Sequence, residues 1–386
     1  MSAIRLLLIG PRSTSDASHR AGGIETGIGD LLRQFGSSEH ADAVALTHLS
    51  NGTSRDPTKR GRVDVLNLAL ALRLYLRLVL LLLRGIVTGR RIAVCQVHTS
   101  GDISFLKDSV LVLIARVFGA QVVVSIHGYG FEGYLAGLRG PMRRYARFIF
   151  ARFGGVRVLA GSVAEAVRDE MGVDPARIHY VQNGVDTERF TTASASDGFV
   201  VLFVGGFGTV KRKGALDLLA GLRVLLDGGA AARVRIVGTD AEPEAREAIE
   251  AYCREHGLGD AVDVEGGVEH RLMPDVYGAA AVYCLPSYRE GAPHSVLEAM
   301  AAGLPVVATR ISGLPHLIEE GEGGFLIEPG DVPALAEHLQ TLYDDPELRK
   351  AMGLFNRRRA VERFSVKAQA DALIDIYRSL VQGPAR

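Results

Sequence analysis

Short, continuous runs of apolar residues alternate along the chain with longer mixed segments. The runs at 121–126, 199–204 and 279–286 are apolar almost throughout, which is typical of strands buried on both faces of a parallel sheet. The segments 24–35 and 138–153 are long enough for helices that bury one side. The pattern therefore predicts an α/β protein.

Length and charge indicate how many domains the chain forms and which partners it is expected to bind. The chain has 386 residues, of which 47% are hydrophobic, so we expect two domains with a core each. The small polar stretch 191–197 is predicted to link a domain at 1–192 to a domain at 198–365. The formal net charge is zero, from 44 basic and 44 acidic residues, which argues against a general nucleic-acid partner.

Cysteine usage and the N-terminus bear on the compartment. The three cysteines, Cys95, Cys253 and Cys284, are far apart and lack the spacing of a metal site. We expect them to be free thiols, which suits a reducing cytosol. The opening residues MSAIRLLLIG are too few for a secretory signal and are predicted to form the first strand. A cytoplasmic protein is expected.

Candidate chemistry is concentrated in the stretch 287–309, SYREGAPHSVLEAMAAGLPVVAT. We predict a strand before it, a loop, a helix at 295–302 and a second strand. Glu290 would lie in the loop at the carboxyl end of the first strand, where open α/β sheets bind ligands, and Glu298 one turn into the helix. The helix start suits a phosphate, whereas carboxylates accept hydrogen bonds from the hydroxyls of a sugar or ribose.

A second candidate anion site follows the strand at 199–204. Glycines at 205, 206 and 208 precede the sequence KRKG at 211–214, and a helix is predicted next. A glycine-rich turn with basic residues before a helix favours phosphate binding. The alternative is an ordinary solvated basic loop.

The spacing of Glu290 and Glu298, followed by EAMAAGLPVVAT, resembles the retaining GT-B glycosyltransferases of family four, also called group 1. The sequence VQNGVDTERF at 181–190 is also similar to that family. The resemblance implies two Rossmann-like domains facing a central crevice, with the acceptor in the first domain and the nucleotide-sugar in the second. It also implies that a last helix, 366–386, packs back on the first domain.

The same resemblance implies roles for individual residues. Glu298 would bind the ribose hydroxyls, Glu290 the donor sugar, and Lys213 the leaving diphosphate. The arginine that accompanies this lysine in the family is replaced here by Gly206, and Arg212 or Lys211 could substitute for it. The rest of the expected donor site consists of Gly291, Ala292, Pro293, His294 and Ser295.

The first domain offers further candidates. Gly22 and Gly23 precede a predicted helix, and the choice lies between an ordinary turn and a loop that approaches a phosphate; the family resemblance favours the loop. His98 and His127 end two predicted parallel strands and so face the same edge of the sheet. The resemblance favours His127 as a contact to the donor sugar and adds it to the catalytic set.

Two segments of the first domain bear on the acceptor. Residues 65–87 form the most apolar stretch, but Arg73, Arg77 and Arg84 make a membrane-spanning helix costly. It is either a core helix with one wet edge or a helix that also touches lipid. The basic segment 138–153 is either a solvated face or an attachment to anionic lipid. We predict a lipid-linked or polysaccharide-building glycan acceptor at the inner face of the plasma membrane.

These observations lead to one expected function and two alternatives. We expect transfer of a sugar from a UDP- or GDP-sugar to an acceptor, without a metal or other cofactor, because the sequence lacks a DxD-type carboxylate pair. One alternative is a glycoside hydrolase that uses the two glutamates as its acid and nucleophile. The other is a non-catalytic subunit that binds a nucleotide-sugar.

Overall fold

The structure is a computed structural model that describes residues 3–11, 23–51, 65–101, 103–128, 130–190, 198–205, 210–238 and 243–383. The chain divides into two compact units. Unit 1 contains the N-terminal strand, Ile24–Asn183 and the C-terminal helix from Lys367. Unit 2 contains Gly184–Val366 and, of the described N-terminal residues, Gly23. Residues 184–190, which belong to the motif at 181–190, therefore cluster with unit 2.

Unit 1 is built on a parallel sheet. In its described part, six strands run in the order β2-β1-β3-β4-β5-β6, and every pair is parallel. Both faces are covered, because the strands are apolar on both sides. The strands are β1 (Ile4–Ile9), β2 (Val44–Leu49), β3 (Val94–Thr99), β4 (Gln121–Ile126), β5 (Gly155–Val158) and β6 (Ile178–Tyr180).

Helices cover the two faces of this sheet with separate apolar clusters. On one face α1 and α15 pack together, with Phe35 and Tyr377 buried between them and β1. On the other face α2, α3, α5 and α6 share a second cluster. The helices are α1 (Gly23–Phe35), α2 (Val65–Val87), α3 (Ile103–Val117), α4 (Phe131–Gly137), α5 (Gly140–Phe150), α6 (Gly161–Asp169) and α15 (Val366–Gln382).

Unit 2 repeats this architecture. Its described residues form six parallel strands in the order β12-β11-β10-β7-β8-β9. Since β7 is the first strand and lies between β8 and β10, the chain changes direction across the sheet at β7 and β10, which leaves space for a ligand at their carboxyl ends. The strands are β7 (Phe199–Val204), β8 (Ala232–Val237), β9 (Val262–Glu265), β10 (Val282–Leu285), β11 (Val306–Thr309) and β12 (Gly324–Ile327).

The helices of unit 2 flank this sheet and share one large apolar cluster with it. They are α7 (Val210–Lys213), α8 (Ala215–Asp227), α9 (Pro243–Glu255), α10 (Met273–Gly278), α11 (His294–Ala301), α12 (Leu314–Leu317), α13 (Val332–Asp344) and α14 (Pro346–Arg363). Two parallel sheets, each covered by helices, confirm the predicted α/β class.

Helix α2 has the bounds predicted from its apolar stretch, but its exposed side is wider than one wet edge. Leu74, Leu78 and Leu82 are buried against the sheet, whereas much of the opposite side is apolar and exposed. Among the described residues, no helix has the length and apolar character needed to cross a bilayer. The exposed apolar side chains of α2 are Leu68, Leu70, Leu72, Leu76, Leu80, Leu83, Ile86 and Val87.

Candidate functional site

The loop after β7 and the loop after β10 contact each other at Gly214. Its φ angle is +71°, and a Cβ atom there would lie only 1.9 Å from the carbonyl oxygen of Pro286. Nearby, the N–H of Tyr288 donates a 2.8 Å hydrogen bond to the carbonyl of Arg212. The glycine therefore lets the KRKG segment contact the loop that carries Glu290, and only glycine fits without strain.

The side chains of Lys213 and Glu290 meet where these loops join. Lys213 Nζ lies 3.0 Å from Glu290 Oε1, and the two side chains are 15% and 12% exposed. Among the described residues Oε1 accepts no hydrogen bond, so the contact is an ion pair at a poor hydrogen-bonding angle. The stem of Lys213 crosses Gly205, where a Cβ atom would lie 2.7 Å from Lys213 Cδ. The ammonium of Lys213 and the carboxylate of Glu290 thus lie side by side at a partly exposed point of the site.

Helix α11 begins beside this pair. It spans His294–Ala301, one residue earlier than predicted, with Pro293 as its N-cap and Gly303 left-handed just beyond its end (φ +77°). The N-cap residue Pro293 has no polar side chain to cap the first turn, and the start of a helix favours an anion. The Ser295 hydroxyl accepts a 2.7 Å hydrogen bond from Tyr283. Gly291 is held through its carbonyl by the N–H of Gly313, 3.2 Å away.

Glu298 lies inside the first turns of α11 and is only 7% exposed. His270 Nε2 lies 3.0 Å from its Oε1, and the Tyr277 hydroxyl donates a 2.8 Å hydrogen bond to its Oε2. Burial, together with the charge of Glu298, raises the pKa of Tyr277 well above its ordinary value, so the hydroxyl stays protonated and donates. Each carboxylate oxygen thus has one protein donor and a lone pair left for another.

His127 and His98 form a buried pair in unit 1, at the ends of β4 and β3. His98 Nδ1 lies 2.8 Å from His127 Nε2, and the rings stack with centroids 4.9 Å apart. Gln96 Nε2 lies 3.1 Å from His98 Nε2, and the Gln96 carbonyl accepts from the Tyr377 hydroxyl of α15. Burial, then Arg157 and His48, lower the pKa of His98 well below its usual value. His98 is therefore a neutral link between α15 and His127.

The structure places the expected site residues in both units. In unit 2 it brings Lys213, Arg212, Glu290 and Glu298 to one edge with the segment 291–295. His127 belongs to unit 1, whereas Gly23, the first residue of α1, is grouped with unit 2. Gly22 and Gly206 lie outside the described residues. Lys211 is in α7, but its side chain is outside the described part, so the choice between Lys211 and Arg212 as the second phosphate ligand remains a prediction.

Sequence reasoning missed the residues that hold Glu298. His270 lies in a 3-10 turn, Tyr277 in α10 and Arg189 in a turn before β7, and no periodicity links them. The only available signal was Arg189, which belongs to the family-like motif at 181–190. The described residues contain no group of three or more His, Cys, Asp or Glu side chains arranged for a metal ion. Whether a metal takes part stays a prediction.

Two family profiles together match most of the chain. The profile of "Glycosyl transferases group 1" matches residues 184–359, and that of "Glycosyltransferase Family 4" matches residues 21–189. The chain therefore belongs to the group 1 / family 4 glycosyltransferases.

Individual proteins with similar sequences are also glycosyltransferases. The chain is 29% identical over 301 residues to D-inositol 3-phosphate glycosyltransferase 1 of Catenulispora acidiphila, covering 72% of this chain and 71% of that protein. It is 31% identical over 227 residues to MMP alpha-(1->4)-mannosyltransferase of Mycolicibacterium hassiacum, covering 58% of this chain and 53% of that protein. The chain thus spans only about half of the mannosyltransferase.

The fold has solved counterparts. The structure of Anabaena HepE in complex with UDP matches with a TM-score of 0.70 and 16% sequence identity, covering 97% of this chain and 100% of HepE. At that identity the likeness concerns the fold alone. Together with the two parallel-sheet units, it confirms the predicted GT-B fold.

Proposed function

We propose that this protein transfers a sugar from a nucleotide-sugar to an acceptor, with retention of configuration at the transferred carbon. The observation that carries the proposal is the grouping of Lys213, the start of α11, Glu290 and Glu298 at one edge of unit 2. A nucleotide-sugar presents a diphosphate flanked by the hydroxyls of a ribose and of a sugar. The site offers positive groups for the first and carboxylates for the others.

Each group then has a role in the transfer. As the bond from sugar to diphosphate breaks, negative charge grows on the leaving diphosphate. Lys213 and the N–H groups of α11 stabilise that charge, which lowers the barrier because they are already in place. Arg212 or Lys211 adds a second cation. Glu298 accepts hydrogen bonds from the ribose, Glu290 and His127 contact the donor sugar, and Gly22, Gly23 and the segment 291–295 line the donor.

The ion pair of Lys213 and Glu290 argues against the alternative that the protein is a glycoside hydrolase. A hydrolase needs two carboxyl groups flanking the scissile bond and has no use for a cation or an anion cradle. Here Lys213 lies against Glu290, and two donors hold Glu298. A non-catalytic subunit would bind the same donor without product, so assay of the released nucleoside diphosphate distinguishes it from a transferase.

The donor is tested by binding. HepE was solved with UDP, which supports a UDP-sugar, and a GDP-sugar is the second proposed candidate. A thermal-shift screen with UDP-, GDP- and ADP-sugars should raise Tm with one class, since a ligand at 100 times its Kd adds about 2.7 kcal/mol of stability. The rise should be lost in Lys213→Ala. No rise with any of the three would contradict the proposal.

The acceptor is proposed to be lipid-linked, and the enzyme to work at the inner, anionic face of a membrane. The exposed side of α2 carries Leu72, Leu76 and Leu80 beside Arg73 and Arg77, all exposed. Leucines that enter the lipid boundary with arginines at the headgroups are typical of an interfacial helix. Because α2 contains no acidic residue, a second copy of the chain would bring arginine against arginine, which favours lipid as the occupant.

The arginines of the basic segment on α5 also make contacts within unit 1. Arg143 pairs with the carboxylate of Glu170, and Arg147 Nε donates a 2.8 Å hydrogen bond to the Glu170 carbonyl. Arg139 donates to the carbonyl of Leu138, 2.9 Å away. Part of the charge that the sequence assigns to lipid is thus used within unit 1, and α2 becomes the main proposed contact.

A further inference from the structure

We infer that His270 is a positioning residue that orients Glu298 toward the ribose of the donor. The inference rests on the proposed function, because it deepens the role of Glu298 in that site. His270 lies in a single 3-10 turn, His270–Leu272, directly before α10. Its ring reaches across to α11 and bonds Glu298.

Arg189 fixes which nitrogen of His270 carries the proton. Arg189 Nη1 lies 2.8 Å from His270 Nδ1, and its Nη2 donates to the backbone carbonyl of His270. A guanidinium can only donate, so Nδ1 must accept. The ring proton then lies on Nε2, which is 3.0 Å from Glu298 Oε1 and donates to it. Arg189 thereby holds the ring in the tautomer that can bond Glu298.

The other oxygen of Glu298 is held independently. The Tyr277 hydroxyl lies 2.8 Å from Oε2 and 3.2 Å from the carbonyl of Ser295. Phe190 packs edge-on against both rings, with centroids 5.6 Å from Tyr277 and 6.4 Å from His270. With one fixed donor on each oxygen, the carboxylate cannot rotate freely. Its remaining lone pairs keep one direction, which two adjacent hydroxyls of a ribose can use.

The contact also gives the motif at 181–190 a role in unit 2. The backbone N–H of Arg189 donates to Asp186 Oδ1, 3.2 Å away, which shapes the turn that presents the guanidinium. The motif therefore connects to the donor site through Arg189, His270 and Glu298, in that order.

Two substitutions separate positioning from general support. In His270→Gln the side-chain amide nitrogen can take the place of Nε2 and still donate to Glu298. In His270→Asn the amide reaches only the position of Nδ1, so it can contact Arg189 but not Glu298. Calorimetric titration with UDP and with 2′,3′-dideoxy-UDP, and with the matching GDP pair in parallel, reads out the ribose contact.

The expected result is a loss confined to one variant and one ligand. His270→Asn should bind the ribose-containing nucleotide about tenfold more weakly, as for a lost hydrogen bond to a charged group, and the dideoxy nucleotide unchanged. His270→Gln should stay within about twofold of wild type for both. An equal loss for both nucleotides in His270→Asn, or the same loss in His270→Gln, would overturn the inference.

Failure of the proposed function gives a different pattern. If wild-type protein binds the ribose and dideoxy nucleotides equally, the proposed contact of Glu298 with the ribose is contradicted. The inference on His270, which depends on that contact, is then contradicted as well. If wild type distinguishes them and His270→Asn distinguishes them just as well, only the inference on His270 is overturned.

Discussion

The ammonium of Lys213 lies 3.0 Å from Oε1 of Glu290, so two residues with separate proposed roles are paired in the structure. Their charges offset each other while no anion is bound. Under the proposed function, a diphosphate that enters the site would compete with Glu290 for Lys213. Recognition of the sugar and of the phosphate would therefore be coupled through this one contact.

This coupling predicts an unusual effect of Glu290→Gln. The substitution removes a charged acceptor for the donor sugar, so kcat should fall by about tenfold or more. It also frees Lys213 for phosphate, so UDP or GDP alone should bind at least as tightly as to wild type. Steady-state kinetics and calorimetry with the nucleotide check both parts. Unchanged kcat together with weaker nucleotide binding would contradict the pairing.

Glu298→Gln should have the opposite profile. Loss of a charged acceptor for ribose hydroxyls should weaken nucleotide-sugar binding by about 1.5–3 kcal/mol, with a smaller effect on kcat. KM for the donor and Kd for the nucleotide measure it. Glu322→Gln, at an exposed site in unit 2, is the matched control and should match wild type. Wild-type donor affinity in Glu298→Gln would remove the residue from the site.

Gly214→Ala tests the junction of the two loops. The new methyl group would overlap the Pro286 carbonyl, so the free energy of unfolding should fall by more than the roughly 1–2 kcal/mol of a left-handed alanine. Gly229→Ala is the control, because its φ is +86° and nothing lies within 4 Å of its Cβ position. Urea unfolding compares them. Equal losses in the two variants would show that the loops can separate without cost.

The buried His98 predicts acid sensitivity of unit 1. Burial, Arg157 and His48 lower its pKa in the folded protein below the ordinary value of 6.5. As pH falls below 6.5, the unfolded chain binds a proton that the folded one does not, so stability is lost at up to about 1.4 kcal/mol per pH unit. His98→Gln should flatten this slope in urea unfolding measured between neutral and mildly acidic pH. An unchanged slope would show that other groups control it.

Lipid attachment predicts a specific sedimentation pattern. Wild-type protein should sediment with anionic vesicles but not with pure phosphatidylcholine, and salt should weaken the attachment. The triple variant Leu72→Ser, Leu76→Ser, Leu80→Ser should lose it. Leu354→Ser, at a leucine of unit 2 that is 57% exposed, is the matched control. Arg143→Glu with Arg144→Glu should have a smaller effect than the α2 variant. Equal, negligible sedimentation with both vesicle types at low salt would end the membrane proposal.

Local signals allowed much of the fold to be predicted from sequence. Apolar runs located the strands, although the run 279–286 extends beyond both ends of β10, Val282–Leu285. The bounds of α2 were predicted correctly, since its apolar stretch has clear ends. The exposure of its leucines was not, because periodicity does not show which side a neighbouring element covers.

Non-local contacts explain what the sequence could not show at the site. Arg189 and His270 are 81 positions apart, and His270 and Glu298 are 28 apart. Histidine spacing gives no signal for such a chain of contacts. The pairing of Lys213 with Glu290 was equally hidden, because it depends on the close approach at Gly214 rather than on either residue.

The most direct test of the central claim is release of nucleoside diphosphate from UDP-, GDP- and ADP-sugars by purified protein with a lipid-linked acceptor, for wild type and Lys213→Ala. Wild type should turn over one donor class, and Lys213→Ala should lose about 10²-fold or more in kcat, as expected when a group that stabilises transition-state charge is removed. Lys350→Ala, at an exposed lysine, should match wild type. Normal turnover by Lys213→Ala would contradict the account, since the diphosphate would then have to bind elsewhere.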